Sequence, residues 1–188
     1  MSANDVQDNA VAPDGEDTGE PSAAPGLATL LIVAAGFLTR LPLPALPADP
    51  PLPPDALARA MSCFPLVGAA IGTAGGLVLL LAGWLGIPVS VAVLMAHAAI
   101  VWLTGALHED GLADVADGFG GGADRDAKLA IMRDSRIGSY GVLALVAGFA
   151  LKAAALIAIA QAAGAWVAIA ALVAAAAWSR AVFAPLMR

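Results

Sequence analysis

Four long apolar runs restrict the fold of this 188-residue chain more than any other feature. They cover residues 64–86, 87–107, 141–163 and 164–185, and a helix of about 20 apolar residues is long enough to cross a bilayer core. Lipid offers no partner for backbone polar groups, so such runs fold as helices. A mean hydropathy of +0.84 supports this, because a soluble domain rarely reaches it. We therefore predict an all-α fold, a polytopic transmembrane helical bundle with about four full spans.

The N-terminal part of the chain predicts less order. Residues 1–25 contain six of the fifteen acids and no base, which indicates a disordered acidic tail. Residues 27–38 are apolar, but twelve residues make only about 18 Å of helix, so this short helix either crosses with help or re-enters. Seven prolines between Pro42 and Pro54 then exclude a regular helix.

The basic residues indicate how the spans are oriented. If residues 108–140 face the cytoplasm, eight of the nine Lys and Arg residues lie on that side. The turns near residues 86–88 and 162–164 contain neither Lys nor Arg. We therefore expect a multi-pass protein of the membrane bilayer with a cytoplasmic catalytic loop. The few, scattered bases give no reason to expect a nucleic-acid partner.

The first full span carries glycines at every fourth position. Gly68, Gly72 and Gly76 form a doubled GxxxG stripe. Small residues at this spacing let two helix backbones approach closely in a membrane. We predict that this stripe packs against another helix of the bundle.

Four carboxylates lie within nine residues at the start of the polar loop. If a helix begins at Asp110, then Asp110, Asp114 and Asp117 fall within roughly 60° of one another on one face. Like charges this close repel unless a cation lies between them, and hard oxygen ligands select Mg²⁺ or Mn²⁺. The spacing predicts a divalent metal site made by these three aspartates. Glu109 points elsewhere on the helix and is a further candidate for that site.

The rest of the loop combines acids with arginines. After a glycine cluster, Asp124 is expected to cap a short amphipathic helix that leads to Arg133 and Arg136. A carboxylate cluster joined to arginines suits a phosphorylated substrate, because the metal and either arginine would share the phosphate charge. The alternative for the exposed charges of the short helix is an ordinary solvated connector.

Three further ionisable groups lie at or inside the spans. His108 is a candidate general base, or else a hydrogen-bonded anchor at the membrane boundary. Lys152 lies near the middle of its span, where a charge usually has a function, but it could instead snorkel or pair inside the bundle. Arg180, near the inner end of the last run, is a candidate for binding an anionic group.

Four motifs in this order resemble the cobalamin synthase family, the adenosylcobinamide-GDP ribazoletransferases. The likeness extends from about residue 30 to residue 185 and leaves out the acidic tail. The motifs are Phe37-Leu38-Thr39-Arg40-Leu41-Pro42, then Phe64-Pro65-Leu66-Val67-Gly68, then Thr104-Gly105-Ala106-Leu107-His108-Glu109-Asp110-Gly111-Leu112-Ala113-Asp114-Val115-Ala116-Asp117-Gly118, and Ile131-Met132-Arg133-Asp134-Ser135-Arg136-Ile137-Gly138 with Gly141.

The resemblance implies a Mg²⁺-dependent enzyme of the bacterial inner membrane that assembles the nucleotide loop of adenosylcobalamin. A hydroxyl of α-ribazole, or of its 5'-phosphate, would attack the cobinamide-side phosphate of adenosylcobinamide-GDP and expel GMP. The family usually runs longer, with further C-terminal membrane segments. Residues 26–188 are therefore expected to form a membrane-embedded catalytic domain that lacks part of the C-terminal bundle.

Residue by residue, the resemblance implies roles for the loop. The three aspartates would hold the metal, with Glu109 beside them, and Arg133 and Arg136 would bind the diphosphate. Arg40, Asp134 and Ser135 of the same motifs are further candidate substrate contacts. Arg180 as a substrate contact and His108 as a catalytic residue rest on the residues themselves. The number of chains in the assembly stays open, a homo-oligomer included.

Two other functions compete with this reading. A CDP-alcohol phosphatidyltransferase also has a membrane-embedded aspartate cluster, but Asp114 follows Ala113 where that motif has arginine. An ion or metal transporter would have its site near the membrane midplane, whereas only His97 and Lys152 lie deep here. Both alternatives are therefore weaker than the transferase.

Overall fold

The structure is a computed structural model, and it describes residues 25–46 and 52–183. The predicted acidic tail lies outside the described residues except for Pro25. Within the two described ranges the chain contains helices, turns and irregular segments but no β-strand, which confirms the all-α prediction.

Eight α-helices follow one another along the described part of the chain. A short 3₁₀ turn, Met61–Cys63, joins the second helix to the third. In chain order the helices are α1 Leu27–Leu38, α2 Ala56–Ala60, α3 Phe64–Trp84, α4 Val89–Thr104, α5 Leu107–Gly121, α6 Arg125–Met132, α7 Ser139–Ala163 and α8 Ala165–Ala181.

Two continuous helical stretches are long and apolar enough to cross a membrane. They are Ala56–Trp84, which joins α2, the 3₁₀ turn and α3, and the 25-residue helix α7. Helices α4 and α5 count as a third span only if they are taken as one span broken by a bend of 89°. The polytopic helical architecture is thus confirmed, with two continuous candidate spans in the described ranges, or three with the bent pair, where about four were expected. The second apolar run ends at the bend, and α8 has only 17 residues.

The glycine stripe of α3 packs against α8, as predicted. A Cβ added at Gly68 would collide with the carbonyl oxygen of Ala176, and one at Gly72 would lie 2.7 Å from the Cα of Val173. A Cβ at Gly76 would come within 2.7 Å of Ile169. Only glycine therefore permits this separation of the two helices.

The bend between α4 and α5 is formed by two residues in the left-handed conformation. Gly105 (φ 66°) ends α4, and Ala106 (φ 62°) precedes α5 and is the one non-glycine residue with positive φ in the described ranges. The Arg40 backbone N–H donates to the Leu103 carbonyl at 2.9 Å, and its guanidinium Nη2 donates to the Gly105 carbonyl at 3.3 Å. The bend thus directs α5 away from the α4 axis and against α6 and α7.

Candidate functional site

The acidic stretch folds as the helix α5, which begins at Leu107, three residues before the predicted start. Asp110 is exposed and Asp114 is half-buried. They lie one turn apart on one face, about 6 Å along the axis at 1.5 Å per residue. Neither carboxylate has a hydrogen-bond or ion-pair partner among residues 25–46 and 52–183. Their oxygens are therefore open to a ligand.

Asp117 has a different environment from the other two aspartates. It is buried, and its carboxylate accepts the backbone N–H of Gly138 at 2.7 Å and that of Gly141 at 2.8 Å. Gly138 is the N-cap of α7 and Gly141 is the third residue of that helix. A helix usually satisfies these two N–H groups with its own side chains, in a capping box. Both residues are glycines here, so Asp117 of α5 caps α7 instead.

The two glycines also make room for the carboxylate. A Cβ added at Gly138 would collide with Oδ1 of Asp117, and one at Gly141 would collide with Oδ2. The N-terminal end of α7, where the helix dipole favours negative charge, is thus occupied by this side chain. Asp117 fixes the loop that ends at Gly138 to α5.

The predicted set of three aspartates is not brought together in this structure. No group of three or more His, Cys, Asp or Glu side chains in the described part of the chain is arranged to hold a metal ion. The oxygens of Asp117 are directed at the two amides, whereas Asp110 and Asp114 face outward. That pair fits an ion such as Mg²⁺, which is usually held by one or two carboxylates while water and substrate phosphates complete its shell.

A cleft of about 450 Å³ opens between the end of α5 and the turn that precedes α7. We call this the loop cleft. Its polar lining includes Asp117, Asp134, Arg136 and Tyr140. Arg136 donates from Nη2 to Asp134 Oδ2 at 2.6 Å and from its backbone N–H to Oδ1 at 3.1 Å. The guanidinium hydrogen bond first, and the backbone one second, hold the pKa of Asp134 below its usual value. The side-chain hydrogen bond to Asp134 and the charge of that carboxylate raise the pKa of Arg136.

A second space of about 460 Å³ lies inside the bundle, between α4, α5, α7 and α8. We call this the bundle cavity. Most of its wall is apolar, with Leu156 and Leu172 among its side chains. Six residues that can form hydrogen bonds through their side chains also line it: His97, His108, Glu109, Lys152, Ser179 and Arg180.

The polar groups of the bundle cavity are only partly paired. Lys152 Nζ lies 3.7 Å from Glu109 Oε1, so this lysine pairs with an acid of the cavity lining while its own side chain stays 58% exposed. Arg180 is only 8% exposed, and its Nη1 donates to Ser179 Oγ at 2.9 Å. Its Nε and both ring nitrogens of His108 are buried without a hydrogen-bond partner in the described ranges. Within the described ranges His108 thus makes no hydrogen bond of the kind expected for an anchor at the membrane boundary.

The structure divides the predicted site residues among three places. The loop cleft contains Asp117, Asp134 and Arg136. The bundle cavity contains His108, Glu109 and Arg180. The residues that line neither space are Arg40, Asp110, Asp114, Arg133 and Ser135.

Helix α5 is the wall shared by the two spaces. Glu109 near its start faces the bundle cavity, and Asp117 near its end faces the loop cleft. At 1.5 Å per residue the two acids are about 12 Å apart along the helix axis, and Asp110 and Asp114 lie in that interval.

Some lining residues were not identified from the sequence. Tyr140 lines the loop cleft, and its ring lies so close to Gly120 that a Cβ there would collide with it. Ser179 lines the bundle cavity and holds the Arg180 guanidinium. The glycine cluster after the acidic stretch was the one signal for the first contact. Nothing in the sequence pattern marked the second.

Comparison with known proteins identifies the family. Residues 30–188 match the family model described as cobalamin-5-phosphate synthase. The chain belongs to this family. The range that matches the cobalamin-5-phosphate synthase family includes α5 and the turn before α7. Both walls of the loop cleft therefore lie within the match.

Curated relatives carry a consistent name. The chain is similar to proteins named adenosylcobinamide-GDP ribazoletransferase in several bacteria. The protein of Azorhizobium caulinodans is 54% identical over 121 residues, which is 64% of this chain and 46% of that relative. That of Bradyrhizobium diazoefficiens is 50% identical over 131 residues, 70% of this chain and 49% of the relative. That of Brucella ovis is 46% identical over 156 residues, 83% and 59% of the two chains.

The chain spans about half the length of the curated relatives it matches. No solved structure matches it.

Proposed function

We propose that the protein containing this chain catalyses the reaction for which its relatives are named, the transfer of ribazole to adenosylcobinamide-GDP. The observation that carries the proposal is the family match, which runs through α5 and the Asp134–Arg136 turn. The geometry supports it, because two carboxylates without partners among the described residues lie on α5, and Arg136 lies in the turn that Asp117 of α5 holds. Neither alternative function has comparable support.

The reaction is a displacement at phosphorus. A hydroxyl oxygen of α-ribazole, or of its 5'-phosphate, forms a bond to the cobinamide-side phosphorus of adenosylcobinamide-GDP. The bond from that phosphorus to the bridging oxygen of the diphosphate breaks, and GMP leaves with that oxygen and its electron pair. The hydroxyl proton passes to a base, and the product is adenosylcobalamin or its 5'-phosphate. Such a transfer depends mainly on positioning and on neutralising charge.

The residues of α5 and of the turn before α7 divide this work. Arg136, held by Asp134, provides a fixed cation for the diphosphate, and the exposed Arg133 lies on the same connection. Asp110 and Asp114 are the candidate ligands of Mg²⁺, which would neutralise phosphate charge when bound. His108 is the candidate proton acceptor, because both of its ring nitrogens lack a partner among the described residues.

The remaining predicted residues act on position. Arg40 donates to the carbonyl of Gly105 and so stabilises the bend that sets the direction of α5. It would act on substrate binding indirectly, by positioning α5. Ser135 is exposed in the turn between Asp134 and Arg136, where a hydroxyl can reach a bound phosphate. Asp117 caps α7, a role which fixes that turn in place.

The apolar helices make this a membrane protein, and we propose the bacterial inner membrane as its location, with residues 108–140 on the cytoplasmic side. The support is the distribution of Lys and Arg, eight of nine of which fall on that side. A nucleotide-activated substrate would be met on the same side.

The test is release of GMP from adenosylcobinamide-GDP by the purified full-length protein with α-ribazole and Mg²⁺. Removing Mg²⁺ with a chelator should abolish release. Asp114→Ala should lower kcat/KM by about a hundredfold or more, since one charge-assisted contact in a transition state is worth roughly 3 kcal/mol. Asp126→Ala on α6 is the matched control, an exposed carboxylate outside both spaces, and should leave the rate unchanged.

Two results separate the parts of the proposal. If the full-length protein releases no GMP under any of these conditions, the transferase function is rejected. If Asp114→Ala keeps full activity and an unchanged dependence on Mg²⁺ concentration, the transferase function stands and the metal assignment to Asp110 and Asp114 is rejected.

A further inference from the structure

The two cations of the bundle cavity differ in burial. The side chain of Lys152 is 58% exposed, so solvent can reach its charge, whereas Arg180 is only 8% exposed. The acid of the lining, Glu109, lies within electrostatic range of Arg180 but is paired with Lys152 at 3.7 Å. A buried guanidinium that shares its one acid with another cation favours an additional anionic group.

The unpaired donors show where that anionic group would bind. Arg180 is nine-tenths buried, lines the cavity and keeps its Nε without a partner among the described residues. The ring nitrogens of His108, on the facing helix α5, are buried and unpaired as well. A negatively charged oxygen acceptor would accept from the Nε–H of Arg180 and from the one ring N–H that a neutral His108 has. Charge-assisted hydrogen bonds to a guanidinium are the strong ones, and phosphate oxygens suit its geometry.

The rest of the cavity wall is suited to an apolar part of a ligand. Beyond the polar end the lining consists of aliphatic side chains and Phe149, which lies against the deep His97 with ring centroids 6.3 Å apart. A volume of about 460 Å³ falls in the range of small-molecule sites, which are mostly apolar with a few polar groups that fix orientation. A free inorganic phosphate would leave most of this wall uncovered.

We propose that the bundle cavity binds a small amphipathic anion, with its phosphate at Arg180 and His108 and its apolar body against Leu156, Ile159 and Leu172. Of the two substrates of the proposed reaction, the phosphorylated ribazole has this chemistry, so the identity of the ligand rests on the proposed function. Bound there, the acceptor would lie on the side of α5 that carries His108 and Glu109.

The experiment is a binding measurement without turnover. The full-length protein, purified in a phosphate-free maltoside detergent, is titrated calorimetrically with α-ribazole 5'-phosphate, with α-ribazole and with inorganic phosphate. The phosphorylated ligand should bind about 10- to 100-fold more tightly than the unphosphorylated one, since one charge-assisted contact is worth roughly 1.5–3 kcal/mol. Inorganic phosphate alone should not bind measurably.

Variants locate the site. Arg180→Gln should weaken α-ribazole 5'-phosphate by the same factor and leave α-ribazole unchanged, because the lost contact involves only the phosphate. Ala175→Leu, which fills the cavity from α8 and keeps every charge, should weaken both ligands. Arg125→Gln on the exposed surface of α6 is the control and should change neither. If Arg180→Gln fails to fold, Ala175→Leu still decides whether the ligand lies in this cavity.

Four outcomes overturn the proposal. The first is equal loss of both ligands in Arg180→Gln, and the second is no loss in either variant. The third is a phospholipid that co-purifies with the protein and is depleted by Arg180→Gln, which would make the occupant a lipid. The fourth is binding of none of the probes, as expected if another helix of the full-length protein fills the space. GMP release despite any of these results would leave the proposed function intact.

Discussion

The loop cleft and the bundle cavity treat their polar groups in opposite ways. In the loop cleft the protein supplies the partners itself, since Asp117 accepts two amides and Asp134 accepts from Arg136. In the bundle cavity Arg180 and His108 keep buried nitrogens without partners in the described ranges. An unmet buried donor costs about 1–3 kcal/mol. The polar groups of the loop cleft therefore stabilise its shape, whereas those of the bundle cavity are available to a ligand.

Among substitutions that test this comparison, Asp117→Ala is expected to have the largest effect on stability. The substitution removes the acceptor from the amides of Gly138 and Gly141, and each buried donor left unmet costs roughly 1–3 kcal/mol. The free energy of unfolding should fall by about 2–5 kcal/mol. Thermal unfolding in detergent, followed by tryptophan fluorescence, measures the loss.

Asp114→Ala is the matched control for that experiment, three residues earlier on the same helix. Its carboxylate has no partner among the described residues, so the unfolding temperature should stay nearly unchanged. Equal destabilisation by both substitutions would contradict the capping role of Asp117. A rise in the Mg²⁺ requirement for Asp117→Ala alone would return it to the metal site.

Gly141→Ala tests the same contact from the other side. The new Cβ would collide with Asp117 Oδ2 and lie 3.1 Å from the Ala113 carbonyl oxygen. Overpacking of this kind usually costs about 1–3 kcal/mol. Gly148→Ala in the same helix is the control, because its Cβ would make only an ordinary contact of 3.5 Å with Leu112. It should stabilise the helix slightly, by up to about 1 kcal/mol. A destabilisation of equal size at the two glycines would contradict a specific role of Gly141 in making room for the Asp117 carboxylate.

Features of the fold that depend on residues close together in the sequence could be predicted from it. The apolar runs gave the helices, the GxxxG stripe gave the close packing of α3, and the acidic stretch is a helix. The predicted N-cap of α6 is confirmed as well, since Asp124 Oδ1 accepts the backbone N–H of Ala127 at 2.8 Å. Each of these depends on residues within a few turns of one another.

Other features depend on contacts that sequence spacing does not encode. The partners of Asp117 lie 21 and 24 residues away, so its position on a helical face gave no indication of the cap that the packing makes. The α4–α5 bend lies inside an apolar run that is continuous in the sequence. It could not be predicted, because an alanine with positive φ cannot be recognised from the residue type. The division of the site into two spaces follows from that bend.

A smaller effect is expected at the ion pair of the bundle cavity. Glu109 is only 16% exposed in its side chain, whereas that of Lys152 is 58% exposed, and their charged atoms are 3.7 Å apart. A double-mutant cycle with Glu109→Gln and Lys152→Gln should give a coupling energy of about 1 kcal/mol in thermal unfolding. The exposed pair of Arg59 and Asp55, at 2.8 Å, is the comparison and should couple by about 0.5 kcal/mol or less. A cavity pair that couples no more than the exposed pair would show that burial adds nothing there.

The smallest effect is expected at Asp134, where the loop cleft meets solvent. Its pKa is lowered by the Arg136 guanidinium, so the charged form is favoured by folding. A carboxyl whose folded pKa is lowered stabilises the protein above its unfolded pKa, near 3.9, and loses this contribution as pH falls through the folded value. The unfolding temperatures of wild type and Asp134→Asn should therefore differ by the same small amount, no more than about 2 °C, from pH 8 to pH 6. The two curves should converge below about pH 4. Asp126→Asn should show no such convergence. A difference between wild type and Asp134→Asn that changes between pH 8 and pH 6 would mean that a group other than this carboxylate controls the turn.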